Sequence, residues 1–389
     1  MIHRGRNIAD YLFYVAFGTL VSLTFVANVG QVASAVPALV MISLGILMLA
    51  VLLRIREYRG VEAVILCLFG IIAVYRLFCC GDTSTIKFVL LLAACRGVEL
   101  SRCIRLDMLL RLVWTIVLVV FSQMGLAQDA VIIDAERGVR HSLGFSNANQ
   151  LGMNVLIISL EMLYLNGFKL KVATGLLLLG IVSILDFFSG SRSATLLIYI
   201  AIAVALVNTF WRHGITRSNV LFRASQFAAP MLFMLTMIAL VGYQKGDLWA
   251  LEINEILTNR IKIIDFFSAQ YDLSLFGRDI AVSGVSFDVL YAYLFFGYGL
   301  LICVGYLAAL PLLIQRLHAR HEHGLVIVFL LLSIYGLSER LWLCVEYNAF
   351  MLAFSLLLYG DNSTYSERAV APCSKKGADS LSDTITCSS

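Results

Sequence analysis

The chain predicts an all-α fold, a polytopic transmembrane helical bundle of about 12 spans with a long outer loop containing a short amphipathic helix. Three observations predict it. Hydrophobic residues make up 60% of the 389 residues and charged residues only 14%, against roughly a quarter charged in a soluble domain. The mean hydropathy is +0.88. The apolar runs are long enough to cross a hydrocarbon core, and basic residues recur between alternate runs.

Taken in order, apolar runs place spans at 9–28, 32–53, 61–78, 85–100, 108–127, 149–166, 171–188, 194–210, 225–243, 286–314, 324–338 and 347–360. His3, Arg4 and Arg6 precede the first run, which is long for a signal-peptide core, so it reads as a retained span. With the N-terminus inside, the inner segments hold Arg4 and Arg6, then Arg54, Arg56 and Arg59, then Arg96, Arg102, Arg105 and Arg111. They continue with Lys169 and Lys171, with Arg212, Arg217 and Arg223, with Arg316 and Arg320, and with Lys375 and Lys376. Each inner segment is therefore basic, which places both termini in the cytoplasm. The fourth span is short and interrupted by Arg96, and the last pair is broken by Glu339, Arg340 and Glu346.

The membrane domain covers 1–360, and the polar tail 361–389, rich in Ser and Thr, reads as cytoplasmic and disordered. No internal repeat marks two transporter halves. Nine cysteines are scattered without Cys-x-x-Cys or zinc spacing and read as small apolar residues, so no metal is expected. Neither a phosphate-binding Walker loop nor a dinucleotide fingerprint occurs, so no cofactor is expected, and a net charge of +4 gives no reason to expect nucleic acid.

Two outer segments are long, 127–148 and 244–285. The second has helical apolar spacing at Ile256, Leu257, Ile261, Ile264 and Phe267. The first carries Arg140-His141-Ser142-Leu143-Gly144-Phe145-Ser146-Asn147-Ala148-Asn149-Gln150-Leu151-Gly152, a polar loop running into an apolar helix that begins near Gln150. With it on the outer side fall Arg192, Arg260, Arg278, Asp288, Glu339, Arg340 and Glu346. Several arginines around one cavity suit a phosphate or pyrophosphate, because guanidinium groups donate in pairs to phosphate oxygens.

Each residue also has a purely structural reading. Asn147 and Asn149 can cap the following helix. Arg192 can snorkel or pair with Asp186, and Arg260 and Arg278 can pair with Glu252, Glu255 or Asp279. Glu339, Arg340 and Glu346 can pair among themselves. Glu161 is expected to reach the inner interface.

In order and sidedness, these motifs resemble the bacterial O-antigen and capsular polysaccharide repeat-unit polymerases, the Wzy-type group. Leu143-Gly144-Phe145-Ser146-Asn147-Ala148-Asn149 resembles a Gly-Phe-x-Asn-Pro-Asn loop, with Ala148 in place of proline. Ser189-Gly190-Ser191-Arg192 resembles a Ser-x-Ser-Arg turn, and Thr258-Asn259-Arg260 with Leu275-Phe276-Gly277 the ends of the large outer loop. Asp288 and Tyr291 match an Asp-Asn-x-Tyr stretch, and Gly336-Leu337-Ser338-Glu339 a late outer turn. The resemblance spans residues 100–360.

It implies a glycosyltransferase of the bacterial inner membrane, acting on undecaprenyl-pyrophosphate-linked oligosaccharides at the outer face. A chain-length regulator and a flippase are implied partners, beside membrane lipids. In that setting Arg140, Arg192, Arg260 and Arg278 would stabilise the leaving pyrophosphate. His141, Asp288 and Glu339 would be candidate bases, with His141 slightly preferred. Asn147 and Asn149 would orient sugar hydroxyls, and Tyr291 and Arg340, with Arg260 and Arg278, would bind substrate. The alternatives are an O-antigen ligase, whose large-loop histidine is lacking from 244–285, and a lipid-linked glycan transporter.

Overall fold

The computed structural model describes residues 2–30, 32–134, 138–210, 218–280, 287–341 and 343–359. The expected disordered tail, 361–389, lies outside them, as do Arg212, Arg217 and the 281–286 part of the large loop.

The chain starts with three long helices, α1 (Ile2–Val26), α2 (Val36–Leu53) and α3 (Gly60–Cys80). Pro37 sits in the first turn of α2, where a missing N–H is harmless. Glu62 accepts from the Arg59 backbone N–H at 2.8 Å and holds the start of α3. α4 (Ser84–Ala94) has 11 residues, about 16 Å of helix, and its two ends meet opposite ends of α3: Thr85 accepts from Arg76, while Arg96, just past its last turn, pairs with Glu62. α5 (Leu100–Gln123) leads to a hairpin of β1 (Val131–Asp134) and β2 (Gly138–His141), paired antiparallel with Ile132 opposite Arg140. Strands were not expected in this loop. Short runs of branched residues, Val131-Ile132-Ile133, form them.

α6 (Ala148–Leu165), α7 (Val172–Ser189), α8 (Arg192–Phe210) and α9 (Asn219–Lys245) follow. The amphipathic helix expected across 254–267 is two helices, α10 (Leu248–Ile256) and α11 (Arg260–Gln270). Thr258 and Asn259 between them take left-handed φ values of 55° and 61°, which end one helix before the next begins. The span expected over 286–314 is also broken. α12 (Leu290–Tyr293) passes into a π-turn, Leu294–Tyr298, and only after Gly299 does α13 (Leu300–Ala319) begin. α14 (His323–Tyr335) and a 3₁₀ turn, Ala349–Phe354, joined to α15 (Ser355–Tyr359) complete the described chain.

Among the described residues, seven helices are long and apolar enough to cross a membrane: Ile8–Val26 of α1, Ala33–Leu53 through α2, and α3, α7, α8, α9 and α13. The chain is thus a helical membrane protein. The other expected spans correspond to α4, α14 and the 349–359 segment, which are short, and to α5 and α6, which carry paired polar groups. α3 and α7 are each 17% buried over their apolar windows, so their surfaces face lipid. α6 and α14 are buried nearly throughout and form the centre.

A second apolar cluster of Leu240, Ile261, Ile264, Phe267, Phe287 and Phe296 seats α11 against α9 and the α12 region. Burial also corrects one expectation. Glu161 does not reach an interface: it is 0% exposed and faces Asp107 and Arg111, whose own pair closes at 3.0 Å. The helix positions of 107, 111 and 161 turn these charges onto the α5–α6 contact.

Candidate functional site

The start of α6 and the end of α14 lie at one end of the bundle, and the site forms between them. Local sequence prepares α6. Asn147 is its N-cap, with extended backbone and a side-chain oxygen that accepts from Gln150 N at 2.7 Å, so the helix begins at Ala148. That frees Asn149, one residue inside, to point elsewhere. Gly152 lets α6 approach the 189–191 turn: a Cβ there would stand 2.3 Å from Ser191.

Strand geometry then separates two adjacent residues. Alternate side chains of β2 leave on opposite faces. Arg140 turns inward and is buried, donating from Nε to the Ser189 carbonyl at 2.8 Å and from Nη2 to Asn149 Oδ1 at 2.7 Å. His141 turns the other way. Its Nδ1 meets Asp129 Oδ2 at 2.7 Å and its ring stands edge-on to Phe188. Asp129 also accepts from Ser142 N and Leu143 N, both at 2.9 Å. Burial opposes the charge on Asp129, but the hydrogen bonds from His141 and the two amides hold it below the usual carboxylate range. Asp129 has no motif of its own, and only the fold of the turn reveals its role.

From Asn149 the polar chain continues. Asn149 also bonds Glu339, and Glu339 Oε1 lies 3.5 Å from Arg260 Nη2. Arg260 donates as well to the Ser338 carbonyl. Glu339 is thereby gathered from the end of α14, Asn149 from α6, Arg140 from β2 and Arg260 from α11. Burial and the nearby Asp288 carboxylate push the Glu339 carboxyl up to about 7, and Arg260 and Asn149 partly offset this. The Tyr335 hydroxyl, buried without a hydrogen-bond partner among the described residues, has Glu339, Arg260 and Asp288 as charged neighbours.

Arg340 points to the other side, its guanidinium 4.1 Å from the centre of the Tyr293 ring. Glu346 pairs with Lys87. The pairing of Glu339, Arg340 and Glu346 among themselves is therefore not seen, and Arg260 pairs across the fold with Glu339 in place of Glu252 or Glu255. Asp186 accepts from Thr195 at 2.7 Å.

Tyr291, Arg278, Arg192 and Asn147 take other places around the site. Tyr291 is fully buried and its hydroxyl donates to the Ser333 carbonyl at 2.7 Å. Arg278 anchors its loop through a backbone bond to Gly297 O at 3.1 Å. Arg192 is exposed at the start of α8. Asn147 is occupied as a cap.

One functional-looking residue was passed over. Arg76, placed near the end of an apolar span, is buried and donates to the carbonyls of Phe276, Gly297 and Tyr298, each at 3.1 Å, and to Asp82 at 3.0 Å. It fastens the end of the large loop to the π-turn behind Arg340. A lone charge in an apolar run was the signal that could have found it.

A carboxyl that titrates near neutrality, set beside one guanidinium and linked through an amide to another, can exchange protons and hold an anion. Among the described residues no group of His, Cys, Asp or Glu side chains is arranged to hold a metal ion. No protein-family model, no curated protein and no solved structure matches the chain.

Proposed function

We propose that the protein is a polysaccharide polymerase of the bacterial inner membrane, with the α6–α14 site on the outer face and both termini cytoplasmic. Its substrates would be undecaprenyl-pyrophosphate-linked oligosaccharides. The motif resemblance supplies the reaction class, and the observation that carries the site assignment is the Arg140–Asn149–Glu339–Arg260 chain. In this reading an acceptor sugar hydroxyl gives its proton to Glu339. Its oxygen bonds to the anomeric carbon of the donor glycan, the bond from that carbon to pyrophosphate oxygen breaks, and undecaprenyl pyrophosphate leaves. Arg140 and Arg260 offset the charge that collects on the leaving oxygen. A base works best with a pKa near the working pH, which Glu339 meets inside the site, whereas His141 leaves β2 on the face opposite Arg140.

A deletion strain tests the reaction class. Loss of long surface glycan with a single repeat unit retained supports a polymerase, and long lipid-linked polymer would mean a ligase. Arg140→Ala is expected to lower polymer formation by about 10²–10³-fold, the usual effect of removing one charge-stabilising donor. Long polymer at normal levels on gels would remove Arg140 from the mechanism.

Buried charge at Asp107, Arg111 and Glu161 favours a second reading, a transporter, because charges inside spans often mark translocation paths. Movement of lipid-linked glycan across reconstituted vesicles would select it.

A further inference from the structure

The hairpin that aims Arg140 into the site has a second face whose apolar side chains are open among the described residues. Register places Val131 with His141 and Ile133 with Val139. Period-two alternation puts all four on the face opposite Arg140. Val131, Ile133 and Val139 are all exposed, Ile133 to 84%. A branched apolar face this open is unusual for a loop in water.

Its neighbourhood says what covers it. β2 packs on α7, one of the membrane-crossing helices, and His141 meets Phe188 at the end of that helix. Phe187 beside it is 81% exposed. The apolar face of the hairpin thus lies beside the exposed aromatic end of α7. Two polar groups of the same segment are turned away, Arg140 into the bundle and Asp129 into the turn, and His141, on the apolar face, is paired with Asp129. The pair Glu136-Arg137 between the strands lies outside the described residues.

We propose that this face is a membrane-contact surface. The β1–β2 hairpin lies in the leaflet on its side of the bilayer, with Val131, Ile133 and Val139 against acyl chains and the His141–Asp129 pair at headgroup level. Hydrogen bonding between the strands satisfies the inner edges, and at the headgroup–acyl boundary water reaches the outer ones, so a hairpin can sit at this depth. The consequence is that the Arg140 site opens beside lipid. This inference rests on the apolar face and its place beside the end of α7, and it stands whichever reaction the site performs.

The test is depth-dependent quenching in the full chain. An environment-sensitive fluorescent amino acid is placed at Ile133, and separately at Val139, in protein reconstituted into phosphatidylethanolamine–phosphatidylglycerol vesicles. A third protein carries it at the exposed Glu252 as an aqueous reference. Lipids brominated in the upper acyl chain are expected to quench positions 133 and 139 at least twofold more than 252. Iodide, present on both sides, is expected to quench 252 and spare the other two. Iodide quenching at 133 and 139 equal to that at 252 would overturn the proposal. Protection of 133 and 139 from both reagents would also overturn it, by putting protein on this face.

Discussion

At the scale of single residues, Glu339 is the group whose surroundings differ most from its sequence context. Its neighbours along the chain, Ser338 and Arg340, do not set its chemistry. Asp288, Arg260 and Asn149, from three other segments, do. A base that titrates at about 7 must lose its proton to act, so polymer formation is expected to rise with pH through that range and then level off. Glu339→Gln is expected to abolish the limb and lower the rate by about 10²–10⁴-fold, the range for a lost general base. An unchanged pH profile in the Gln variant would transfer the role to another group.

The same shift bears on stability. The folded state binds the Glu339 proton more tightly than the unfolded chain does, so its contribution is full below the ordinary value of 4.5 and is lost as pH rises through about 7. Thermal unfolding in detergent should show the wild type losing stability across that window relative to Glu339→Gln. A pH difference of the opposite sign would contradict the placement of Asp288 beside Glu339.

At the scale of elements, the large loop is held by a joint between its last residues and the break before α13. Arg76 supplies the donors, and two glycines supply the space. Gly277 has φ +84°, and a Cβ there would lie 2.1 Å from Arg76 Nη1 and 2.3 Å from Gly297 O. Neither backbone oxygens nor a buried guanidinium can step aside. Gly277→Ala is therefore expected to destabilise by about 3 kcal/mol, read as a lowered unfolding temperature. Gly305→Ala, in open space on α13, serves as control and should be neutral or stabilising by up to about 1 kcal/mol.

Arg76→Ala takes one donor from the carbonyls of Phe276, Gly297 and Tyr298 and from Asp82, which keeps Ser84 N and Thr85 Oγ1. Removing one member of a buried network typically destabilises by about 3–5 kcal/mol. Arg76→Lys should recover little of this, since a single ammonium cannot reach both the acceptor at Nε and those at Nη1. Full stability in Arg76→Ala would show that the joint is held by packing alone.

At the scale of the molecule, weakly buried helices such as α3 and α7 surround a core of α6, α14 and the 349–359 segment. The core pieces α14 (13 residues) and 349–359 (6 and 5 residues) are shorter than a bilayer span. This is affordable because protein rather than lipid surrounds their ends. Reporter fusions test the proposed orientation: a reporter active only outside the cytoplasm should be silent after residue 360 and active within 127–148 and 244–285. Activity at 360 would imply an odd number of crossings.

Hydropathy and charge count establish that this is a helical membrane protein, because transfer of a helix into lipid depends on the sum of its residues and hardly on their order. The cap at Asn147 and the polar loop at Arg140 were legible for a related reason: capping and turn formation use groups only a few residues apart. Three things needed the folded chain. Adjacent Arg140 and His141 diverge because a strand alternates its faces. Glu339 meets Arg260 and Asn149 because three segments converge from far along the sequence. Arg76 finds its carbonyl acceptors two hundred or more residues away, two of them at a helix break that no apolar run discloses. Electrostatics and hydrogen bonding act over a few ångströms of space, and which residues share that space is decided by packing.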